Sequence, residues 1–75
     1  MHDVTVRMKD GQQFEGPLWI WRPLEGWFEL AGQDQRFYLK DVESAMESGV
    51  RTSRTKVEDV DLLHRARQDG WVEPR

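Results

Sequence analysis

The chain begins with a strict alternation of apolar and polar residues. Val4, Val6 and Met8 fall on one side of an extended segment, and polar or charged residues occupy the positions between them. A period of two with β-branched residues is typical of a strand with one buried face. The Asp10-Gly11 pair that follows accepts the positive φ angles of a tight hairpin turn. The pattern therefore predicts a β-hairpin.

The same alternation continues from Phe14 to Tyr38 and predicts three more strands, at about residues 13–22, 27–31 and 35–40. Turns that contain Gly, Pro or Asp separate them. Gly16-Pro17 predicts a bulge or a bend in the second strand, because proline has no amide N–H to donate to a neighbour. The alternation assigns these residues to the core: Phe14, Gly16, Leu18, Ile20, Phe28, Leu30, Phe37 and Leu39.

The last third of the chain has a different pattern. Residues 43–47 predict a short fifth strand, with a short helix before Gly49 as the alternative, and residues 50–54 predict a loop. Thr55 to Glu58 fits a capping box, and Gly70 is suited to the position just after a helix. Trp71 then folds back onto the sheet. An apolar stripe with helical spacing lies between the two caps: Val57, Val60, Leu63 and Ala66.

Together these elements predict one mainly β domain of the β+α kind. Residues 1–49 form a small five-stranded antiparallel barrel, residues 50–54 a loop, residues 55–70 one C-terminal α-helix packed on or beside the barrel, and residues 71–75 a tail. Five short strands are enough to close a small barrel and remove exposed edges.

Composition narrows the class of protein. The chain has 75 residues, enough for one domain, and its net charge of −3 with mixed signs is not that of a dedicated nucleic-acid binder. It has no cysteine, which favours a reducing compartment, and we expect a cytoplasmic protein. It has no apolar run of about 18 residues and no signal-peptide pattern, so we expect no membrane association.

Four short motifs resemble the small-barrel family that includes SH3-like and Sm-like domains. They are the strand Val4 to Met8, the turn Lys9-Asp10-Gly11, Phe14-x-Gly16 and Leu39-x-Asp41-Val42. The resemblance covers about residues 3–47 and implies a binding scaffold, which relatives use for proteins, peptides or nucleic acids. The chain differs from Sm proteins in its C-terminal helix and in containing no asparagine.

Aromatic residues are more numerous than one core requires. The chain has four tryptophans, three phenylalanines and one tyrosine. Aromatic side chains beside arginine are typical of interface hot spots, and the same combination also stacks single-stranded bases. Alternatively, the C-terminal helix covers this face and forms a second core. The residues predicted to bind a partner on the outer face are Trp19, Trp21, Trp27, Tyr38, Arg7 and Arg36.

Other candidate chemistry is sparse. Arg51, Arg54 and Lys56 are candidate phosphate contacts in a hydroxyl-rich segment, with a solvated linker as the alternative. His2 and His64 are far apart and lack matched ligands, so we expect no metal and no cofactor. The serines have neither a nucleophile motif nor a nearby base, and we expect no enzyme activity.

The sequence therefore predicts a non-enzymatic protein-binding module. Compact acidic chains of this size are often regulators or inhibitors, including virus-encoded ones. Self-association into a homodimer through the same face is compatible with this prediction. The alternative function is binding of single-stranded nucleic acid such as RNA.

Overall fold

The computed structural model describes residues 2–74, so the outermost residue of the predicted barrel segment and that of the tail lie outside the described part. Six strands and one helix follow one another along the chain. Their bounds are β1 Asp3–Met8, β2 Gln13–Arg22, β3 Trp27–Leu30, β4 Phe37–Tyr38, β5 Val42–Arg51, β6 Val57–Asp61 and α1 Leu62–Gln68, with 3-10 turns at Leu39–Asp41 and Ser53–Thr55.

All strand pairs are antiparallel, and the strands form one sheet in the order β4-β3-β2-β1-β5-β6. The long strand β2 pairs with β1 through its first half and with β3 through its second half. Within residues 2–74 the edge strands β4 and β6 do not pair with each other, so the sheet is open. The predicted mainly β fold with a C-terminal helix is confirmed. Closure into a barrel is not, and there are six strands rather than five.

The hydrophobic core lies on one face of the sheet, where α1 packs. Four residues that the alternation assigned to the core, Phe28, Leu30, Phe37 and Leu39, are fully buried there. The helix contributes Leu62 and Ala66. The other fully buried hydrophobic residues in the described part are Val4, Val6, Val42 and Ala45.

Four aromatic rings form a continuous series through this core. The ring centroids of Trp21 and Phe28 are 5.9 Å apart, those of Phe28 and Phe37 are 5.4 Å apart, and those of Phe37 and Phe14 are 5.2 Å apart. These separations lie in the favourable range for aromatic pairs. The series joins β2, β3 and β4 from the inside and leaves their other face outward.

A β-bulge at Trp19 divides β2 into two halves. Leu18 pairs with Leu30, but the next pair joins Ile20 to Glu29, so Trp19 is an extra residue on β2. One extra residue reverses which side chains point to which face. Beyond the bulge, the side of β2 that faces the core is therefore the opposite of the predicted one.

Of the bulge or bend predicted at Gly16-Pro17, the bulge is wrong, because both residues keep a regular register with β1, opposite Val4 and Asp3. Gly16 instead permits a close approach of two chain segments. A Cβ atom there would lie 3.1 Å from the Ala31 carbonyl oxygen. The Ala31 amide donates a hydrogen bond of 2.8 Å to the carbonyl of Pro17, which itself has no amide N–H to contribute.

The predicted helix at residues 55–70 is wrong in its first half. Val57–Asp61 forms strand β6, which pairs with an extended β5, so strand also replaces the first two residues of the predicted loop. Thr55 is not a helix cap, since its φ angle is 71° and its hydroxyl donates to the Arg54 carbonyl. The backbone pairing with β5 outweighs the local helical pattern.

Asp61 is the residue that starts the helix. Its carboxylate accepts hydrogen bonds from the backbone amides of Leu63, at 3.0 Å, and His64, at 3.4 Å. These contacts satisfy amide donors that have no partner inside the helix.

We therefore expect Asp61→Ala to lower the free energy of unfolding by about 1 kcal/mol, as loss of a helix cap typically does. Thr55→Ala is the matched control and should cause no such loss. Urea denaturation of the two variants measures both effects. A larger loss from Thr55→Ala than from Asp61→Ala would contradict this assignment of the cap.

The prediction for the end of the helix is confirmed. Gly70 has a φ angle of 110°, and its amide donates to the Arg67 carbonyl at 3.3 Å. The Trp71 amide donates to the Ala66 carbonyl at 2.8 Å, which completes a Schellman motif. This turn directs Trp71 back against the core. No helix in residues 2–74 has the length and apolar character needed to cross a membrane.

Candidate functional site

The bulge at Trp19 splits the predicted row of outward-facing tryptophans. Trp21 pairs with the fully buried Phe28 and packs against the core, so its predicted place on the outer face is wrong. Ile20, predicted to point inward, is on the outer face instead. The alternation of apolar and polar residues in β2 does not indicate that Trp21 and Ile20 change faces.

Helix α1 covers Trp21 from the core side. The indole Nε1 of Trp21 donates a hydrogen bond of 2.9 Å to Asp69 Oδ2. The Arg65 guanidinium lies 5.2 Å from the centre of the Trp21 ring, within 3.7 Å of Asp69 and within 3.8 Å of the buried Glu47. Trp21 therefore meets the helix because it lies on the core face; this differs from the predicted alternative, in which the helix covers the outer face and forms a second core.

On the other side of the sheet, one row of side chains crosses three strands. Arg22 pairs with Trp27, and Trp27 pairs with Tyr38. Residues directly opposite each other in an antiparallel sheet project from the same face. Ile20 is two positions from Arg22 and shares this face, and the Arg36 guanidinium lies 4.1 Å from the centre of the Trp27 ring. We call Ile20, Arg22, Trp27, Arg36 and Tyr38 the aromatic face.

Trp27 is the most constrained member of the aromatic face. It is half-buried, and its Nε1 donates a hydrogen bond of 3.1 Å to Glu25 Oε2. Arg36 lies across the ring, while the neighbouring Tyr38 is 43% exposed. The aromatic face thus combines three side chains: the fixed ring of Trp27, the guanidinium of Arg36 and the solvent-exposed ring of Tyr38.

Trp19 is the most exposed tryptophan in the described part of the chain, at 70%. The bulge leaves it without a pairing partner on β3, and it lies beside a depression of about 310 Å³ whose lining includes Glu29, Ala31 and Gly32. Because Glu29 pairs with Ile20, this depression adjoins the aromatic face. The predicted exposure of Trp19 is correct.

A second depression, of about 320 Å³, adjoins the other side of the aromatic face. Tyr38, Lys40 and Trp71 are among its lining residues. The turn at Gly26 lies against Trp71, because a Cβ atom on Gly26 would be in ordinary contact with the indole Nε1, at 3.6 Å. The sequence did not predict Trp71 as a site residue. The sequence does contain one indication for Trp71, its position directly after the helix-capping Gly70.

Arg7, predicted to join the aromatic residues, does not lie with them. It pairs with Gln13 at the start of β2, whereas Trp27 pairs with Arg22 at the other end of the same strand. Since a strand rises about 3.3 Å per residue, these positions are far apart along β2.

The candidate phosphate contacts lie at the tip of the β5–β6 hairpin, at the edge of the sheet opposite to β4. Arg51 ends β5, and Arg54 sits in the connecting turn with a φ angle of 58°. Lys56 forms an ion pair of 2.7 Å with Glu58. This group is therefore separate from the aromatic face, and one of its cations already has a carboxylate partner.

Across residues 2–74, histidine, aspartate and glutamate side chains form no group of three or more that is placed to hold a metal ion. Comparisons with known proteins found no matching family model, no matching curated protein and no matching solved structure. The functional evidence therefore comes from the surface of the molecule itself.

Proposed function

We propose that this chain is a non-enzymatic protein-binding module that engages its partner through the aromatic face. The observation that carries the proposal is the arrangement of Trp27, Arg36 and Tyr38 on the side of the sheet away from the core. Tryptophan, tyrosine and arginine are the residues most enriched at the centres of protein interfaces. A module of this size acts as a regulator or inhibitor by occupying a surface of its partner.

For the fold, we propose an open member of the SH3-like or Sm-like small-barrel class. What supports it is the connection after β4, where a 3-10 turn leads into β5 and returns it to the side of β1. A small barrel requires such a return of a late strand to the first one. The outer surface of β2, β3 and β4 is then the binding surface of the scaffold.

The proposal is tested by affinity capture from a native lysate with the parent chain and the double variant Arg36→Ala, Tyr38→Ala. We expect the partner bound by the parent to lose at least about tenfold in affinity for the variant, because truncating a hot spot typically costs 2 kcal/mol or more. Titration calorimetry with the captured partner measures the loss.

The control is Thr5→Ala, Arg7→Ala, which changes the same outer side of the sheet on β1 and should bind like the parent. Both double variants should have denaturation midpoints close to the parent. A partner that the aromatic-face variant retains, or that the control loses, would contradict the proposal. Light scattering on the same samples shows whether the partner is a second copy of the chain.

Single-stranded nucleic acid is the second candidate, favoured by two cations, Lys40 beside Tyr38 and Arg22 on the far side of Trp27 from it. Against it, Arg36 occupies a side of the Trp27 ring on which a base would stack. A salt titration separates the two functions, because nucleic-acid binding weakens steeply with salt through counterion release. The affinity of a protein contact that buries aromatic surface changes little with salt concentration.

A further inference from the structure

We propose, resting on the proposed function, that the segment that docks on the aromatic face is acidic and carries an apolar anchor. A carboxylate of the segment binds the guanidinium of Arg36, and a neighbouring apolar side chain enters the depression beside Tyr38 and Trp71. The proposal commits to one occupant, an acidic segment of a protein partner.

Arg36 has the geometry of a carboxylate receptor. Its guanidinium lies 4.1 Å from the centre of the Trp27 ring, and the side chain is exposed. Stacking on the ring restricts an otherwise flexible side chain, so less conformational entropy is lost when a ligand binds. Among residues 2–74 no carboxylate lies within 4.0 Å of it, so its N–H donors remain available for a bidentate contact.

The charges around Arg36 favour an anionic segment. Arg22 and Lys40 also lie on this side of β2–β4 and form no ion pair in the described part of the chain. Two carboxylates lie beside this surface. Glu25 accepts the hydrogen bond from Trp27, and Glu29, two residues after Trp27 on β3, lies within 4.0 Å of no cation in the described part of the chain. By contrast, Arg65 and Arg67 each have a carboxylate partner within the molecule. The unpaired cations therefore supply charge complementarity to a carboxylate-bearing ligand.

The apolar part of the segment has a matching cavity. The depression of about 320 Å³ beside Tyr38 is walled on its other side by Trp71, and its lining also includes Lys40 and Glu25, whose carboxylate accepts the hydrogen bond from Trp27. Two aromatic walls with a cation beside them suit a large apolar side chain next to an acidic residue. This cavity and Arg36 lie on either side of the Trp27–Tyr38 pair.

The same surface disfavours a nucleic-acid chain. Glu25 and Glu29 lie close to the aromatic face, and the whole chain has a net charge of −3. A continuous phosphodiester backbone would pass these carboxylates, whereas a peptide can place single carboxylates at the cations only. The binding of discrete acidic side chains therefore suits this surface better.

The test is selection of a phage-displayed random peptide library on the parent chain, followed by titration of the enriched peptides by fluorescence polarisation. We expect enriched peptides to carry Asp or Glu beside an aromatic or large aliphatic residue. Their affinity should fall at least about tenfold on Arg36→Gln, and by a similar factor when Gln and Asn replace the peptide's acidic residues. The two changes together should cost little more than either one, because they remove the same contact.

Arg7→Gln is the matched control, with the same chemical change on β1 opposite the far end of β2, and it should leave peptide affinity unchanged. Enriched peptides that lack acidic residues and ignore Arg36→Gln, yet bind more weakly to Tyr38→Ala, would overturn this inference and leave the proposed function standing. Peptides that ignore both variants, or no enrichment at all, would count against both. If a single-stranded oligothymidine binds more tightly than the enriched peptides, and Arg36→Gln abolishes that binding, the ligand of the aromatic face is nucleic acid and not an acidic protein segment.

Discussion

Trp21→Ala is expected to lower the free energy of unfolding by about 3 kcal/mol, while Trp19→Ala leaves it within about 0.5 kcal/mol of the parent. The two tryptophans are separated by one residue in the sequence but differ in environment. Trp21 packs on Phe28 at 5.9 Å and donates a hydrogen bond to Asp69, so its removal opens a cavity between sheet and helix. Trp19 is 70% exposed, so its replacement by alanine removes few contacts and changes the free energy of unfolding little. Urea denaturation followed by circular dichroism measures both changes.

This pair of variants tests the position of the bulge in β2. If the strand were regular throughout, both tryptophans would lie on the outer face and both substitutions would be mild. Asp69→Ala serves as a further control, because it removes the hydrogen bond to Trp21 and the exposed ion pair with Arg65 without opening a cavity, and should cost about 1 kcal/mol. Equal effects of Trp19→Ala and Trp21→Ala would contradict the bulge.

The second large effect is expected at the start of the helix. Leu62→Ala should lower the free energy of unfolding by about 3 kcal/mol, since Leu62 is fully buried in the core and truncation of a buried leucine leaves a cavity. Val57→Ala should change it by no more than about 0.5 kcal/mol, because Val57 is 58% exposed on β6. Thermal unfolding and urea denaturation report both values.

The comparison also tests the change from strand to helix at Asp61. A helix beginning at Thr55 would place Val57 on its apolar stripe and make its truncation costly. A marked loss for Val57→Ala with a small one for Leu62→Ala would therefore show that the strand β6 is wrongly assigned. Hydrogen exchange adds a readout, because amides of Val57–Asp61 that pair with β5 are protected as part of the sheet.

Several features of the fold follow from short-range chemistry and were predictable. The hairpin at Asp10-Gly11 is one, although only Gly11, at 95°, has the predicted positive φ angle; Asp10 does not, and its carboxylate instead accepts the Gln12 amide at 2.9 Å. The helix end at Gly70 is another. Both depend on the backbone preferences of residues that touch each other, which a short stretch of sequence contains in full.

The candidate site was predictable where the strands are regular. Trp27 and Tyr38 face outward because they alternate with Phe28 and Phe37, and these phenylalanines must be buried. The placement of Trp21 failed because a single extra residue reverses the facing of everything beyond it. The position of that residue depends on how β2 meets β3, which the alternation within β2 does not contain.

The alternating pattern by itself thus established a mainly β domain, its first hairpin, its central core and the outward position of Trp27 and Tyr38. Contacts between distant segments decided the rest. Pairing with β5 turned residues 57–61 from a locally favourable helix into a strand, and pairing with β3 placed the bulge at Trp19. Hydrogen bonds between strands satisfy backbone groups across many residues at once and so outweigh helical preferences of less than about 1 kcal/mol per residue.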